Sequence, residues 1–178
     1  MNTLQPGLCV LGTRLPGCFN VFEMSVRAVL GQQITVKAAS TLAARLVAVY
    51  GTQVQTGIEG LTHSFPAPAA ILALGENISE HLGKLGIISA RANTIYQLAR
   101  VLADEKNDFG FCGNPEEEMQ KLQAIRGIGS WTAQYIAMRA MGWPDAFLPT
   151  DAGIKKALPD HTPKELQVLS EAWRPWRS

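Results

Sequence analysis

A chain of 178 residues, 47% of them hydrophobic, can bury one good core or two small helical units that share an interface. Its 16 basic and 15 acidic residues give a net charge of +1, which excludes a globally basic nucleic-acid binder and leaves any such role to local motifs. Cys9, Cys18 and Cys112 are odd in number, far apart and without a CxxC pair, which argues against a disulfide framework or a structural zinc site.

The first helix is expected over residues 22–30, where Phe22, Val26, Val29 and Leu30 recur at helical spacing before Gly31. Thr35 is a good N-cap for a second, carried by Ala38, Ala39, Leu42, Leu46 and Val49 and stopped at Gly51. Residues 52–68 hold Gly57, Gly60, Pro66 and Pro68 among polar residues and read as a long surface loop. Two short helices follow, over 68–74 and 77–82. Ser89 is then the expected cap of a longer helix through Ala92, Ile95, Leu98, Ala99 and Leu102. Residues 108–114 are turn-like. Pro115 followed by Glu116, Glu117 and Glu118 is a strong helix start, because proline fits the first turn and carboxylates favour the positive end of the dipole. Further helical patterns cover 132–141, 151–158 and 163–173. Strand-type alternation never persists, so the fold class is all-α.

Between two of these helices lies Leu122-Gln123-Ala124-Ile125-Arg126-Gly127-Ile128-Gly129-Ser130-Trp131-Thr132-Ala133, where the chain must stop, turn and restart within about five residues. Gly127 and Gly129 can take positive φ and let backbone N–H groups approach a ligand closely. Ser130 or Thr132 can cap the new helix, while Leu122, Ile125 and Ile128 lock the hairpin to the body. Outward N–H groups at a helix start form an anion site, and a backbone phosphate suits it. An ordinary tight turn also gives GxG, but the full L-x-x-I-x-G-I-G pattern resembles the helix-hairpin-helix motif of nucleic-acid-binding proteins. Such a hairpin grips phosphate without reading sequence, which suits a nearly neutral protein.

About twenty residues after Trp131 stands Asp151, preceded by Pro149 and Thr150 at a helix start. The helix dipole favours a carboxylate there, and an ionised carboxylate can stabilise a sugar cation and orient water. A plain N-cap is the competing role. Hairpin and aspartate together resemble the helix-hairpin-helix, Gly/Pro-Asp superfamily of base-excision glycosylases. Leu15-Pro16-Gly17, Phe22-Glu23, the run from Arg27 to Gln33, the run from Gly127 to Tyr135, the run from Asp145 to Asp151 and the run from Trp173 to Ser178 resemble its alkylbase branch, the 3-methyladenine DNA glycosylase II family.

That resemblance implies two helical subdomains with the active site in the cleft between them. It makes Asp151 the catalytic aspartate. Trp131 stands where bifunctional members carry a lysine, so a monofunctional enzyme that uses water is expected. Trp131 and Tyr135, four apart on one helix, are the implied base pocket, with core packing as the alternative. Gly127, Gly129, Ser130 and Thr132 are the implied DNA contacts, and Gln33 is the implied wedge that fills the place of the flipped nucleotide. No cofactor is expected to be required. The resemblance does allow a monovalent cation on the main-chain carbonyls of Gln123, Ile125 and Ile128. Lys155 and Lys156 are equally a phosphate contact or a solvated face, and His63, His81 and His161 have no assigned role.

The expected partner is damaged double-stranded DNA. No apolar run reaches the ~20 residues of a membrane span, no secretory leader is visible, and a cytoplasmic monomer is expected. Residues 1–178 read as the helical core alone, without the family's N-terminal α/β domain or its final helix, whose loss would expose apolar surface around Trp173. Arg126 stands where the family often has proline. The alternatives are a non-catalytic hairpin module with Asp151 as a cap, a bifunctional lyase, against which Trp131 and the lack of four clustered cysteines count, and a helical scaffold with no nucleic-acid role.

Overall fold

The computed structural model describes residues 15–104 and 114–178, so Cys9, Cys112 and the expected turn over 108–113 lie outside the described residues. Helix α1 (Val21–Leu30) begins where the Asn20 side chain accepts the Glu23 N–H, and a Glu23–Arg27 pair supports its outer face. Its inner face buries Phe22, Val26, Val29 and Leu30. Thr35 caps α2 (Val36–Tyr50) as expected, and Gly51 ends it.

The stretch expected as loop contains a minimal antiparallel ladder, β1 (Thr52–Gln53) on β2 (His63–Ser64), with Thr52 opposite Ser64 and Gln53 opposite His63. Two residue pairs are too few to leave an alternating pattern in sequence. Helix α3 (Pro68–Leu72), a 3-10 turn at Gly75–Asn77 and α4 (Ile78–Gly83) lead to α5 (Ser89–Leu102). Ser89 is not the cap of α5. Ile88 is, without a side-chain bond, because the fully buried Ile87 pins the chain and brings the helix in at Ser89.

Asn114 caps α6 (Pro115–Gln123) through Glu116, and three glutamates fill its first turn as expected. Helix α7 (Ser130–Ala140) buries Ala133, Ile136, Ala137 and Ala140. The three alanines among them let α1 pack closely on it. Helix α5 is flanked by α1, α3 and α4, and Val26, Val29, Leu30, Ile95, Leu98 and Ile136 are fully buried between α1, α5 and α7. Each fully buried aliphatic of this set is worth about 1.5–3 kcal/mol relative to exposure.

After α7 the chain runs through buried Ala146, Phe147 and Leu148 to α8 (Ala152–Ala157). Helix α9 (Pro163–Ser170) opens with a reciprocal capping box between Thr162 and Glu165, and a 3-10 turn at Glu171–Trp173 follows. Trp173 is half-buried, edge-on to Phe147 at 5.9 Å, so the exposed aromatic of this end is Trp176, 59% accessible.

Candidate functional site

The hairpin is seated by its apolar residues. Leu122, Ile125 and Ile128 are buried as the spacing predicts. Gly127 has φ +96°, and a Cβ there would collide with the Thr94 hydroxyl on α5. Only glycine meets both demands. Gly129 departs from expectation: its φ of −88° is open to any residue, and it acts as the N-cap of α7. A Cβ added at Gly129 would point into open space.

Neither Ser130 nor Thr132 caps α7. Ser130 is exposed in the first turn. Thr132 is buried, 3% accessible, and its Oγ1 lies 2.9 Å from the Gln32 amide nitrogen. Its side chain therefore contacts Gln32 in the turn after α1. The reason is rotation: the third residue of the helix points back toward α1 rather than outward.

The turn after α1 meets the hairpin here. Gln32 Nε2 donates to the Gly127 carbonyl at 3.0 Å and to Thr132 Oγ1 at 2.9 Å, using both amide hydrogens. The Gln32 carbonyl accepts from Arg91 of α5, and Thr94 Oγ1 lies 3.0 Å from the Arg126 carbonyl. Next to Gln32, Gln33 is exposed with φ +55°, the only non-glycine residue at positive φ among the described residues. Left-handed backbone at a residue with a Cβ costs about 1–2 kcal/mol and is held by its surroundings.

Trp131 and Tyr135 stack on each other, centroids 5.2 Å apart and planes 7° from parallel, both half-buried. The pair is closed against insertion, so a planar ligand can only lie on an outer face. Gln134, on the same helix, accepts the Phe147 N–H at 3.3 Å, and the Trp143 N–H bonds the Ala137 carbonyl, so the loop leading to Asp151 is tied to α7.

Asp151 is the N-cap of α8, its Oδ1 accepting the Gly153 N–H at 2.8 Å. It is partly exposed, with Lys155 and Lys156 exposed in the last turn behind it. Six residues upstream, Asp145 is buried and gripped by Arg174 and Arg177, with Glu171 bridging both arginines. Burial alone would push the Asp145 carboxyl up, but hydrogen bonds and charge from Arg177 and Arg174 overcome it and hold it below the usual carboxylate range. Ser178 closes the same end, its hydroxyl 3.0 Å from both the Trp143 and Ala146 carbonyls, which share its one hydrogen.

Sequence reasoning did not assign Gln32, Arg91, Thr94 or the Asp145 cluster. Their partners lie 29 to 100 residues away, and no local spacing encodes that. Among the described residues no group of three or more His, Cys, Asp and Glu could hold a metal ion.

Residues 26–177 match the HhH-GPD superfamily of base excision DNA repair proteins. DNA-3-methyladenine glycosylase 2 of Escherichia coli is 38% identical over 178 residues, all of this chain and 60% of that protein. A Mycobacterium tuberculosis protein described as a probable bifunctional transcriptional activator/DNA repair enzyme AlkA is 40% identical over 94% of this chain and 33% of its own. The chain thus spans between a third and three fifths of these relatives. The solved 3-methyladenine DNA-glycosylase from Archaeoglobus fulgidus superposes with a TM-score of 0.77 at 25% identity, covering 91% of this chain and 56% of that one.

Proposed function

The chain belongs to the HhH-GPD superfamily of base excision DNA repair proteins, and from that premise we propose that it is the helical core of a monofunctional DNA glycosylase. Its substrates are alkylated bases of the 3-methyladenine type in double-stranded DNA. The observation that carries this reading is the bracing of the Asp151 loop onto α7, the helix that leaves the hairpin and bears the stacked Trp131–Tyr135 pair. One scaffold thereby carries a phosphate grip, an aromatic face and a carboxylate.

Gly127, Gly129 and Ser130 grip a phosphate through backbone N–H groups, and Gln33 enters the duplex where the damaged nucleotide swings out. The flipped base stacks on the outer face of the Trp131–Tyr135 pair. A cationic alkylated purine is held there by the ring electrons and is already a good leaving group. As the C–N glycosidic bond breaks, the electron pair leaves with the base and the sugar becomes cationic. Asp151 stabilises that charge, orients the water whose oxygen forms the new bond to the sugar, and accepts the proton that this water gives up. Oδ1 is committed to the Gly153 N–H, so this chemistry falls to Oδ2. The products are free base and an abasic site, with no strand break.

The carbonyls of Gln123, Ile125 and Ile128 form the set that would hold a monovalent cation at the hairpin. Neutral main-chain oxygens suit a hard ion of low charge, which would strengthen the phosphate grip. The enzyme requires no other cofactor and works as a cytoplasmic monomer. Among the described residues no helix is long and apolar enough to cross a membrane.

A second reading, a non-catalytic hairpin module, is favoured by one observation: the Oδ1 bond to Gly153 is what a purely structural cap makes. Asp151→Asn separates the two, because asparagine caps as well as aspartate but carries no charge. The chain and this variant are incubated with alkylated duplex DNA, released bases are quantified, and alkali reveals abasic sites. Loss of base release by about 100-fold or more in the variant, with abasic-duplex binding retained, supports the enzyme. No release above the protein-free control from either protein, while both bind, supports the module; equal release from both would show catalysis that does not use Asp151.

A further inference from the structure

Gln32, Arg91 and Thr94 tie three elements together at a point that the proposed reaction has not used. Arg91 and Thr94 lie three apart on α5 and so share a face of that helix. Arg91 holds the turn after α1 through the Gln32 carbonyl. Thr94 meets the hairpin at the Arg126 carbonyl, which shares its one hydroxyl hydrogen with the Ala90 carbonyl of α5. The Gln32 side chain closes the triangle, joining the turn directly to the hairpin at Gly127 and Thr132. Both of its hydrogens are spent on acceptors, and one acceptor, a main-chain carbonyl, fixes which end of the amide faces it. Adjacent to this knot is the strained, exposed Gln33.

We infer that Gln32 is a positioning residue that sets Gln33 at a fixed distance from the hairpin, so that phosphate grip and wedge act on the duplex as one rigid unit. This deepens the glycosylase reading and rests on it, since it takes the hairpin as the grip and Gln33 as the wedge. The physical reason is strain. A left-handed residue at an exposed turn relaxes unless its neighbours are over-determined, and Gln32 is fixed through both its carbonyl and its side chain. Freed from the hairpin, Gln33 would swing with the turn and lose its purchase on the base stack while the hairpin still held phosphate.

The test uses the full chain and a duplex carrying a tetrahydrofuran abasic analogue opposite 2-aminopurine, whose fluorescence rises when it is unstacked. Fluorescence at saturation reports the wedge, and the salt dependence of affinity reports the phosphate grip. Gln33→Ala is expected to lower the fluorescence gain several-fold. Gln32→Met, which keeps the side-chain length but removes both donors, is expected to lower it by a similar factor with Kd within about threefold and an unchanged salt slope. Combining the two should add little, as for coupled neighbours. Arg91→Met frees the Gln32 carbonyl while sparing the hairpin bonds, and is expected to give the same pattern should Gln32→Met unfold.

Full additivity of the two glutamine variants would overturn the inference, as would an undiminished signal in Gln32→Met. A flattened salt slope in Gln32→Met also overturns it, by showing that the residue serves the hairpin alone. An unchanged signal in Gln33→Ala is a different failure: it removes the wedge reading itself, and the inference with it.

Discussion

Arg177 grips Asp145 with two prongs, Nε 2.7 Å from Oδ1 and Nη2 2.9 Å from Oδ2, across 32 residues of sequence. Both side chains are under 10% exposed, at 7% and 8%, so this is a buried, bidentate pair rather than a surface contact. It fastens the end of the described chain to the loop that runs from α7 to Asp151. Leaving one member uncompensated is costly in such a pair.

Asp145→Asn is therefore expected to cost about 3 kcal/mol, lowering Tm by on the order of 10 °C, with base release falling as the Asp151 loop loosens. The carboxyl is held below its unfolded value, so its contribution is present above about pH 4 and is lost as pH falls through the native value. Chemical denaturation between about pH 2 and 6 checks this: the parent should lose stability at the acid end more steeply than Asp145→Asn.

The two hairpin glycines should part company. Gly127→Ala meets both a φ of +96° and the Thr94 hydroxyl, and is expected to cost on the order of 3 kcal/mol. Gly129→Ala meets open space at φ −88° and should cost about 1 kcal/mol or less, yet weaken DNA affinity several-fold by keeping a phosphate from the N–H groups. Thermal melts beside binding isotherms distinguish them, and equal losses of stability would contradict the assignment.

Gln33→Gly removes the Cβ from a left-handed residue at φ +55°. Relief of that strain outweighs the extra freedom of glycine in the unfolded chain, and a gain of roughly 0.5 kcal/mol is expected. Activity on duplex substrate should fall despite the added stability, as befits strain kept for function. A variant both less stable and fully active would show that the turn is not strained.

At Asp151 cap and charge can be read apart. Asp151→Asn should change stability by less than about 0.5 kcal/mol, and Asp151→Ala should cost about 1 kcal/mol through loss of the Gly153 bond. Base release should collapse in both. Activity that followed stability, surviving in asparagine and lost only in alanine, would assign Asp151 to the helix rather than to the reaction.

Much of the architecture is legible in the sequence because helices announce themselves locally. The apolar spacing of Phe22, Val26 and Val29, the Thr35 cap and the proline–glutamate start at Pro115 each act within a few residues, and each helix stands where that local chemistry puts it. Errors fall where tertiary packing overrides local preference. Ile87 burial displaces the cap expected at Ser89, and the facing of α7 toward α1 turns Thr132 inward to Gln32.

What the sequence determined by itself is the helical class, the hairpin with its seat of Leu122, Ile125 and Ile128, and the helix start at Asp151, since periodicity, turn chemistry and capping are short-range. Tertiary structure alone decided that Gln32 holds the hairpin, that Thr94 makes Gly127 obligatory and that Arg177 clamps the loop before Asp151. Hydrogen bonds and ion pairs between residues 30 to 100 apart depend on how the helices pack, and packing is set by the whole core at once rather than by any one segment.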